Sequence, residues 1–219
     1  MTSLLLLSLC PGGAISNTYS YLARRNVSLA ATITTASTLC SLISIPVWLS
    51  IVGRWKSLGH EIVTVPTLQI LLQLLLLMVL PLAVGATVRR RWPDSVNRIG
   101  YHLRWASLAI VLAILLAATW SVRTDLYAFA GRIALSTTLF IVGAMLLGWL
   151  LAISLPPRDA PVLVIESAVR NVGIAAILGR ILFSDSDFGT FSGFLTGYFI
   201  IEIMIMLAYS QVLRRQPSA

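Results

Sequence analysis

Charged side chains are scarce in this sequence, and so are the side chains that usually bind metals or form disulfides. Charged residues make up 11% of the 219 residues and hydrophobic residues 58%, whereas about a quarter of an ordinary soluble domain is charged. Two cysteines and two histidines are present. Because so few charges cannot cover a water-exposed surface, the composition predicts an all-α polytopic membrane protein surrounded by the lipid bilayer.

The shortage of reactive side chains excludes several classes of function. Cys10 and Cys40 both lie in apolar surroundings, which indicates packing residues and not a disulfide or a metal pair. His60 and Glu61 lack the second histidine of a zinc protease helix, and the sequence contains no nucleotide loop and no Gly-x-Ser-x-Gly element. We therefore predict no enzyme and no organic cofactor. Energy for any transport would have to come from an ion gradient.

The formal net charge of +8 does not indicate nucleic acid as a partner. The arginines lie in short connectors between apolar runs, and no basic stripe with interleaved aromatic residues is present, so the positive-inside rule explains them better. With the connector 89–98 in the cytoplasm, every alternate basic connector falls on the same side. This predicts an outside N-terminus, a cytoplasmic C-terminus and localisation in a bacterial inner (plasma) membrane.

Seven apolar segments are close to the 17–25 residues that cross a bilayer, and no connector is long enough for a soluble domain. The whole chain, 1–219, is therefore predicted to be a single transmembrane domain. The segments are residues 2–22, 27–52, 66–88, 103–120, 128–155, 161–183 and 188–213.

Two of these segments are interrupted in the middle by polar residues and helix breakers. The first interruption is Cys-Pro-Gly-Gly-Ala-Ile-Ser-Asn at 10–17, and the second is Glu-Ser-Ala-Val-Arg-Asn at 166–171. A broken helix in a bilayer leaves backbone groups without partners, which is tolerated where they line a cavity or hold an ion. Two breaks in corresponding positions are typical of secondary transporters.

The spacing of the breaks also predicts an internal repeat. Asn17 and Asn171 are 154 positions apart, and residues 66–213 can supply a complete repeat of five helices. Five is an odd number, so the two repeats would insert in opposite orientations. By this symmetry residues 1–52 are the remnant of a first repeat that begins about 90 residues earlier. The prediction is an inverted-repeat fold with two broken crossing helices, lacking about three N-terminal helices.

Acidic residues inside the apolar segments are candidates for function, because a bare carboxylate in lipid is costly. Glu166 is one of them, and a salt bridge to Arg170 four residues later is the structural alternative. The two interpretations can coexist. Glu202 is the second such acid and has no obvious partner in the last segment.

Oxygen-bearing side chains surround the first break. Ser16 and Asn17 follow Pro-Gly-Gly directly, so freed carbonyls beside a hydroxyl and an amide oxygen offer hard ligands for a small cation such as sodium. Thr34 and Thr38 share one face of the next helix, where they either complete an oxygen cage or bond carbonyls one turn back. An ordinary proline kink capped by serine and asparagine is the alternative for the first break.

At these residues the chain resembles the bile acid:sodium symporter family. The family signature is a Cys-Pro-Gly-Gly-x-x-Ser-Asn break followed later by Glu-x-Gly-x-Gln-Asn-x-Gly, which correspond here to residues 10–17 and 166–173. The first match is specific and the second is looser. Residues 21–29 are also similar to the family, and the similarity covers essentially the whole chain.

The resemblance implies a core domain that holds the crossed broken helices, a panel domain that moves against it, and cotransport of an organic anion with sodium. Carried over to this sequence, the sodium ligands are Ser16, Asn17, Thr34 and Glu166. The candidate substrate-binding residues, which lie at the crossing, are Gly12, Gly13, Asn17, Arg170 and Asn171.

Two departures from the family pattern bear on the number of sodium ions. Ala30 stands where the family usually has a serine hydroxyl, and Arg170 stands where a glutamine helps to hold a second sodium. A guanidinium stays charged and repels a cation. One hypothesis is that Arg170 replaces the second sodium by neutralising Glu166, and the rival hypothesis is that Arg170 binds the carboxylate of the substrate.

The leading interpretation is therefore sodium-coupled symport of an organic anion, bile acid-like or another carboxylate, by alternating access. The alternative is an inactive fragment or an assembly partner of a transporter, because the predicted N-terminal helices are missing. The identity of the anion and the oligomeric state stay open.

Overall fold

The computed structural model describes residues 2–57, 72, 76, 80–120 and 123–216, and in these residues the backbone is almost entirely helical. Extended pairing among them is confined to one isolated antiparallel bridge between Gly12 and Arg170. The predicted all-α class is confirmed. The described helices are α1 (Thr2–Leu9), α2 (Ser16–Leu22), α3 (Val27–Ser57), α4 (Leu80–Arg91), α5 (Pro93–Trp120), α6 (Arg123–Leu151), α7 (Ala160–Ala168), α8 (Val172–Leu182) and α9 (Asp185–Arg215).

Three of the described helices are long and apolar enough to cross a membrane. The stretches are Val27–Ile51 in α3, Ala130–Leu151 in α6 and Asp187–Arg215 in α9. Large apolar side chains such as Leu147 and Leu151 of α6 are exposed, as expected for a surface that faces lipid. Together with their composition, these helices identify an integral membrane protein.

Six of the seven predicted spans fall on described helices. The largest difference is in α5, which begins at Pro93 inside the predicted connector 89–98, well before the predicted start at residue 103. The span predicted for residues 66–88 lies mostly outside the described residues, as do His60 and Glu61. The division into repeats at 1–52 and 66–213 stays a prediction.

Two helix boundaries differ from the sequence prediction for local reasons. Helix α6 ends at Leu151, four residues before the predicted end, and a turn then leads to Pro156 and Pro157. A residue that precedes a proline disfavours the helical conformation, so the helix cannot continue through this pair. The acidic connector 184–187, which separates the predicted spans 161–183 and 188–213, is instead the N-cap and first turn of α9. There the Ser184 hydroxyl accepts the Asp187 N–H and caps the helix.

Both predicted breaks are present. Helix α1 ends at Leu9 and α2 begins at Ser16, because Pro11 has no N–H to continue the helix. Helix α7 ends at Ala168, and the backbone of Val169 and Asn171 is extended before α8 begins. The side-chain oxygen of Asn171 accepts the Ile174 N–H at 3.2 Å and caps α8.

Helix α9 is the centre of the packing. In an apolar 18-residue window of Asp187–Arg215, 56% of the residues are buried, against 22% in the corresponding windows of α3 and α6. It contacts α2, α5, α6, α7 and α8. Its buried side chains Phe191, Leu195, Tyr198 and Met206 join Tyr19 of α2 in the hydrophobic core. Of the broken helices, α2 and α7 contact both α9 and α3, whereas α1 contacts α3 and α8 contacts α9.

We predict that Gly148 is required for the close packing of α6 on α7. A Cβ at this position would lie 2.7 Å from the Ser167 Oγ and 3.0 Å from the Val164 Cα, so the helices would have to separate. Gly148→Ala should lower the free energy of unfolding by about 1–3 kcal/mol, measured by denaturation in detergent. Gly143→Ala on the same helix is the control, since nothing lies within 4 Å of its Cβ; equal destabilisation by both would contradict the prediction.

Candidate functional site

The two breaks cross and hydrogen-bond to each other through their backbones. The N–H of Asn171 donates to the carbonyl of Pro11 at 2.9 Å, and the N–H of Gly13 donates to the carbonyl of Val169 at 3.3 Å. A buried backbone donor without a partner is costly, and in lipid no water can replace the partner. Each break therefore supplies a hydrogen-bond partner for a backbone group of the other break.

Glycine is needed in the first break because the two backbones approach closely. A Cβ on Gly13 would lie 2.8 Å from the carbonyl oxygen of Arg170, and a Cβ on Gly12 would lie 3.1 Å from the Glu166 Oε2. Neither glycine has a positive φ. Lack of space, and not an unusual backbone conformation, is what excludes a side chain here.

Three predicted sodium ligands from three helices meet beside this crossing, and we call them the oxygen cluster: Ser16, Thr34 and Glu166. The Ser16 hydroxyl donates to the Glu166 Oε1 at 2.5 Å. The Thr34 hydroxyl lies 3.1 Å from Oε1 and 2.9 Å from Oε2, and the two hydroxyls are 3.3 Å apart. Ser16 and Glu166 are buried, with 0% and 5% exposure.

The fourth predicted ligand, Asn17, makes no hydrogen bond to the oxygen cluster. Its Oδ1 is buried and has no hydrogen-bond partner among the described residues. Thr34 also lies 3.0 Å from the carbonyl of Ala30, one turn back. The two roles weighed for Thr34 therefore coexist in one geometry, because its hydroxyl can reach both acceptors.

Arg170 points away from the oxygen cluster. Its guanidinium lies over the ring of Phe140 on α6, with 5.8 Å from Cζ to the ring centroid, and its Nε is buried without a hydrogen-bond partner. Within the described residues, the Glu166 carboxylate is bonded by Ser16 and Thr34 and not by Arg170. The salt bridge that helical spacing offered as the alternative for Glu166 is not formed, because α7 ends at Ala168 between the two residues.

Two further residues complete the crossing, and sequence reasoning gave neither of them this role. The hydroxyl of Tyr198 on α9 accepts the Arg170 N–H at 3.0 Å and donates to the Ala168 carbonyl at 2.9 Å. The Ser37 hydroxyl on α3 accepts the Gly12 N–H at 3.3 Å. The signal for Tyr198 was available: a tyrosine in the middle of an apolar span needs a partner for its hydroxyl.

A helical membrane protein in which two broken helices cross beside a buried carboxylate has the features typical of secondary transporters. The family model described as Sodium Bile acid symporter family matches residues 1–129. The chain belongs to this family, whose members are transporters and not enzymes. The resemblance inferred from the two breaks is thereby confirmed.

Among its relatives are two mammalian transporters. The sodium-dependent organic anion transporter of Rattus norvegicus is 26% identical over 99% of this chain and 59% of its own length. The ileal sodium/bile acid cotransporter of Homo sapiens is 26% identical over 91% of this chain and 57% of its own length. The chain therefore spans somewhat more than half the length of these relatives.

We predict that Gly13→Ala disrupts the crossing. The added Cβ would collide with the Arg170 carbonyl group, which is backbone and cannot rotate away. The free energy of unfolding of the variant in detergent should fall by about 1–3 kcal/mol. The amide hydrogen at position 13, which is bonded to the Val169 carbonyl in the wild type, should exchange with solvent faster. Gly131→Ala is the control, because nothing lies within 4 Å of that Cβ. Unchanged stability and exchange in Gly13→Ala would contradict the prediction.

Proposed function

We propose that this chain takes part in sodium-coupled symport of an organic anion across the membrane, by alternating access at the crossing of the two breaks. The observation that carries the proposal is the oxygen cluster, in which Ser16, Thr34 and Glu166 converge from three helices. Membership of the sodium bile acid symporter family and the names of the two mammalian relatives support it.

Sodium, in this proposal, binds at the oxygen cluster and at Asn17. A small hard cation prefers oxygen ligands, and the cluster offers a carboxylate and two hydroxyls beside the carbonyls freed by a helix break. The buried Asn17 Oδ1, which has no partner, is available as a further ligand. The cation would also neutralise Glu166, whose charge is otherwise costly at this depth.

The organic anion binds on the other side of the second break, against Arg170 and the backbone around Gly12, Gly13 and Asn171. Arg170 stays charged under all physiological conditions and can hold a carboxylate or a sulfonate with two hydrogen bonds. The N-terminus of α8, which follows Asn171, adds a favourable dipole. Because Glu166 is bonded by Ser16 and Thr34, anion binding is a better account of Arg170 than neutralisation of Glu166.

We further propose that the C-terminus is cytoplasmic and that the protein resides in a bacterial inner membrane. Arginines at the ends of two described helices support this orientation: Arg214 and Arg215 at the end of α9, and Arg89, Arg90 and Arg91 at the end of α4. They are exposed. Under the positive-inside rule both helix ends face the cytoplasm.

The sodium site is tested by Glu166→Gln and Ser16→Ala in the purified chain, with sodium binding measured by calorimetry in potassium-free and sodium-free buffer. Glu166→Gln removes the charge and keeps the shape, so we expect the sodium affinity to fall by about tenfold or more. Ser16→Ala should reduce it less. Binding is measured because it does not require a complete transport cycle.

Matched controls for these two variants lie outside the cluster. Asp94 is an exposed acid in the first turn of α5, and Ser8 bonds only the Leu5 carbonyl of its own helix among the described residues. Asp94→Asn and Ser8→Ala should bind sodium like the wild type. If Glu166→Gln keeps wild-type affinity, the sodium site is not at the oxygen cluster.

The role of Arg170 is tested by Arg170→Gln and Arg170→Lys. With anion binding as its role, Arg170→Gln should weaken binding of a carboxylate panel by about tenfold or more, and Arg170→Lys should recover part of it. Arg158, an exposed arginine in the turn before α7, supplies the control Arg158→Gln. If Arg170→Gln instead adds a second bound sodium and leaves anion binding unchanged, Arg170 replaces a cation.

A further inference from the structure

A second acid lies deep in the fold, away from the oxygen cluster. Glu202 is in the middle of α9 with 0% exposure. Neither of its carboxyl oxygens has a hydrogen-bond partner among the described residues. A charged carboxylate is almost never left in this state, because it loses its hydration and gains no partner in exchange. The group is therefore either protonated or neutralised by a bound cation.

The surroundings of Glu202 favour a proton. From α2 it faces Tyr19, whose buried hydroxyl is close enough to act on the carboxyl group, although the two groups do not reach hydrogen-bond geometry. From its own helix the neighbouring group is Tyr198, one turn earlier. The backbone N–H of Arg170 donates to Tyr198, and Arg25 donates to the Leu213 carbonyl of α9, about three turns beyond Glu202. Among the described residues, neither arginine is hydrogen-bonded to Glu202. Glu202 lies in an unbroken helix, so α9 supplies no freed backbone carbonyls like those beside the oxygen cluster, and the Tyr198 hydroxyl is already bonded to Arg170 and Ala168. A metal cation would therefore lack ligands here, whereas a proton binds the carboxyl oxygen itself.

The position of this acid connects it to both halves of the crossing. Tyr198 precedes Glu202 by one helical turn, and its hydroxyl bridges Ala168 and Arg170 in the second break. Tyr19 follows Ser16 of the oxygen cluster by one turn of α2, and its carbonyl accepts the Ser210 hydroxyl of α9 at 3.2 Å. A change at the contact between Tyr19 and Glu202 therefore acts on the helix that carries Ser16 and on the helix that carries Tyr198.

We propose that Glu202 is a proton-binding site of this protein, protonated while α2 is packed on α9 and deprotonated when the two helices separate and admit water. On release, the proton passes from the carboxyl oxygen to water, and the admitted water donates hydrogen bonds to the carboxylate that remains, because Tyr19 moves away with α2. On return, the carboxylate takes a proton from water and becomes neutral again. The site is separate from the proposed sodium site at Glu166.

The test is pH-difference infrared spectroscopy of the purified chain in lipid nanodiscs, in buffer without sodium. A protonated buried carboxyl group gives a C=O stretching band that is distinct from that of a carboxylate. We expect this band in the wild type at low pH, its loss as the pH is raised while the protein stays folded, and its absence in Glu202→Gln. Tyr19→Phe, which keeps the ring and removes the hydroxyl, should shift the frequency of the band.

Glu166→Gln is the reference variant, because it removes the other buried acid and should leave the Glu202 band in place. Failure of the sodium proposal would therefore not remove the band. Three results would overturn the inference: no band that depends on Glu202, a Glu202 band that persists at every pH at which the protein is folded, or a band that added sodium removes in the Glu166→Gln background. The last result would make Glu202 a metal-cation site.

Discussion

The structure depends on the mutual hydrogen bonding of two broken helices. Neither break can be buried in an apolar interior by itself, because each leaves backbone donors and acceptors unpaired. When they cross, Asn171 donates to Pro11 and Gly13 donates to Val169. The two segments are far apart in the sequence, so this pairing holds the N-terminal and C-terminal parts of the chain together at the crossing. It also determines where Glu166 and Arg170 can lie, since both belong to the second break.

The crossing is completed by the two helices that hold it. Tyr198 of α9 bonds the remaining donor and acceptor of the second break, and Ser37 of α3 bonds a donor of the first. Both contacts use hydroxyl groups, which can donate and accept at once. This explains why Tyr198 lies in α9, which is the most buried of the three helices that can cross the membrane. Ser210 of the same helix likewise bonds a neighbouring segment, at the Tyr19 carbonyl.

The sequence was sufficient to predict the helical class and both breaks, because proline, glycine and buried acids have strong local meanings. That Ser16, Thr34 and Glu166 lie together was implied by the family resemblance, and the structure brings the three side chains together. The sequence was insufficient to predict where the Arg170 side chain lies. Helical spacing placed this residue beside Glu166, but the same break that was correctly predicted ends the helix at Ala168, so the spacing did not apply. Tyr198 was missed for a different reason: its partners are about 30 residues away, and no local pattern marks them.

The separation of Glu166 from Arg170 has an electrostatic consequence for the proposed function. A buried pair that neutralised itself would have no need of a sodium ion or of an organic anion. Here the carboxylate faces the hydroxyls of α2 and α3, while the guanidinium lies over Phe140 of α6. In the proposed function, sodium at the oxygen cluster compensates the carboxylate and an organic anion compensates the guanidinium. Under that proposal, two opposite ions bound at adjoining positions would attract each other in a medium of low dielectric constant, so that binding of one would favour binding of the other, which is the coupling that symport requires.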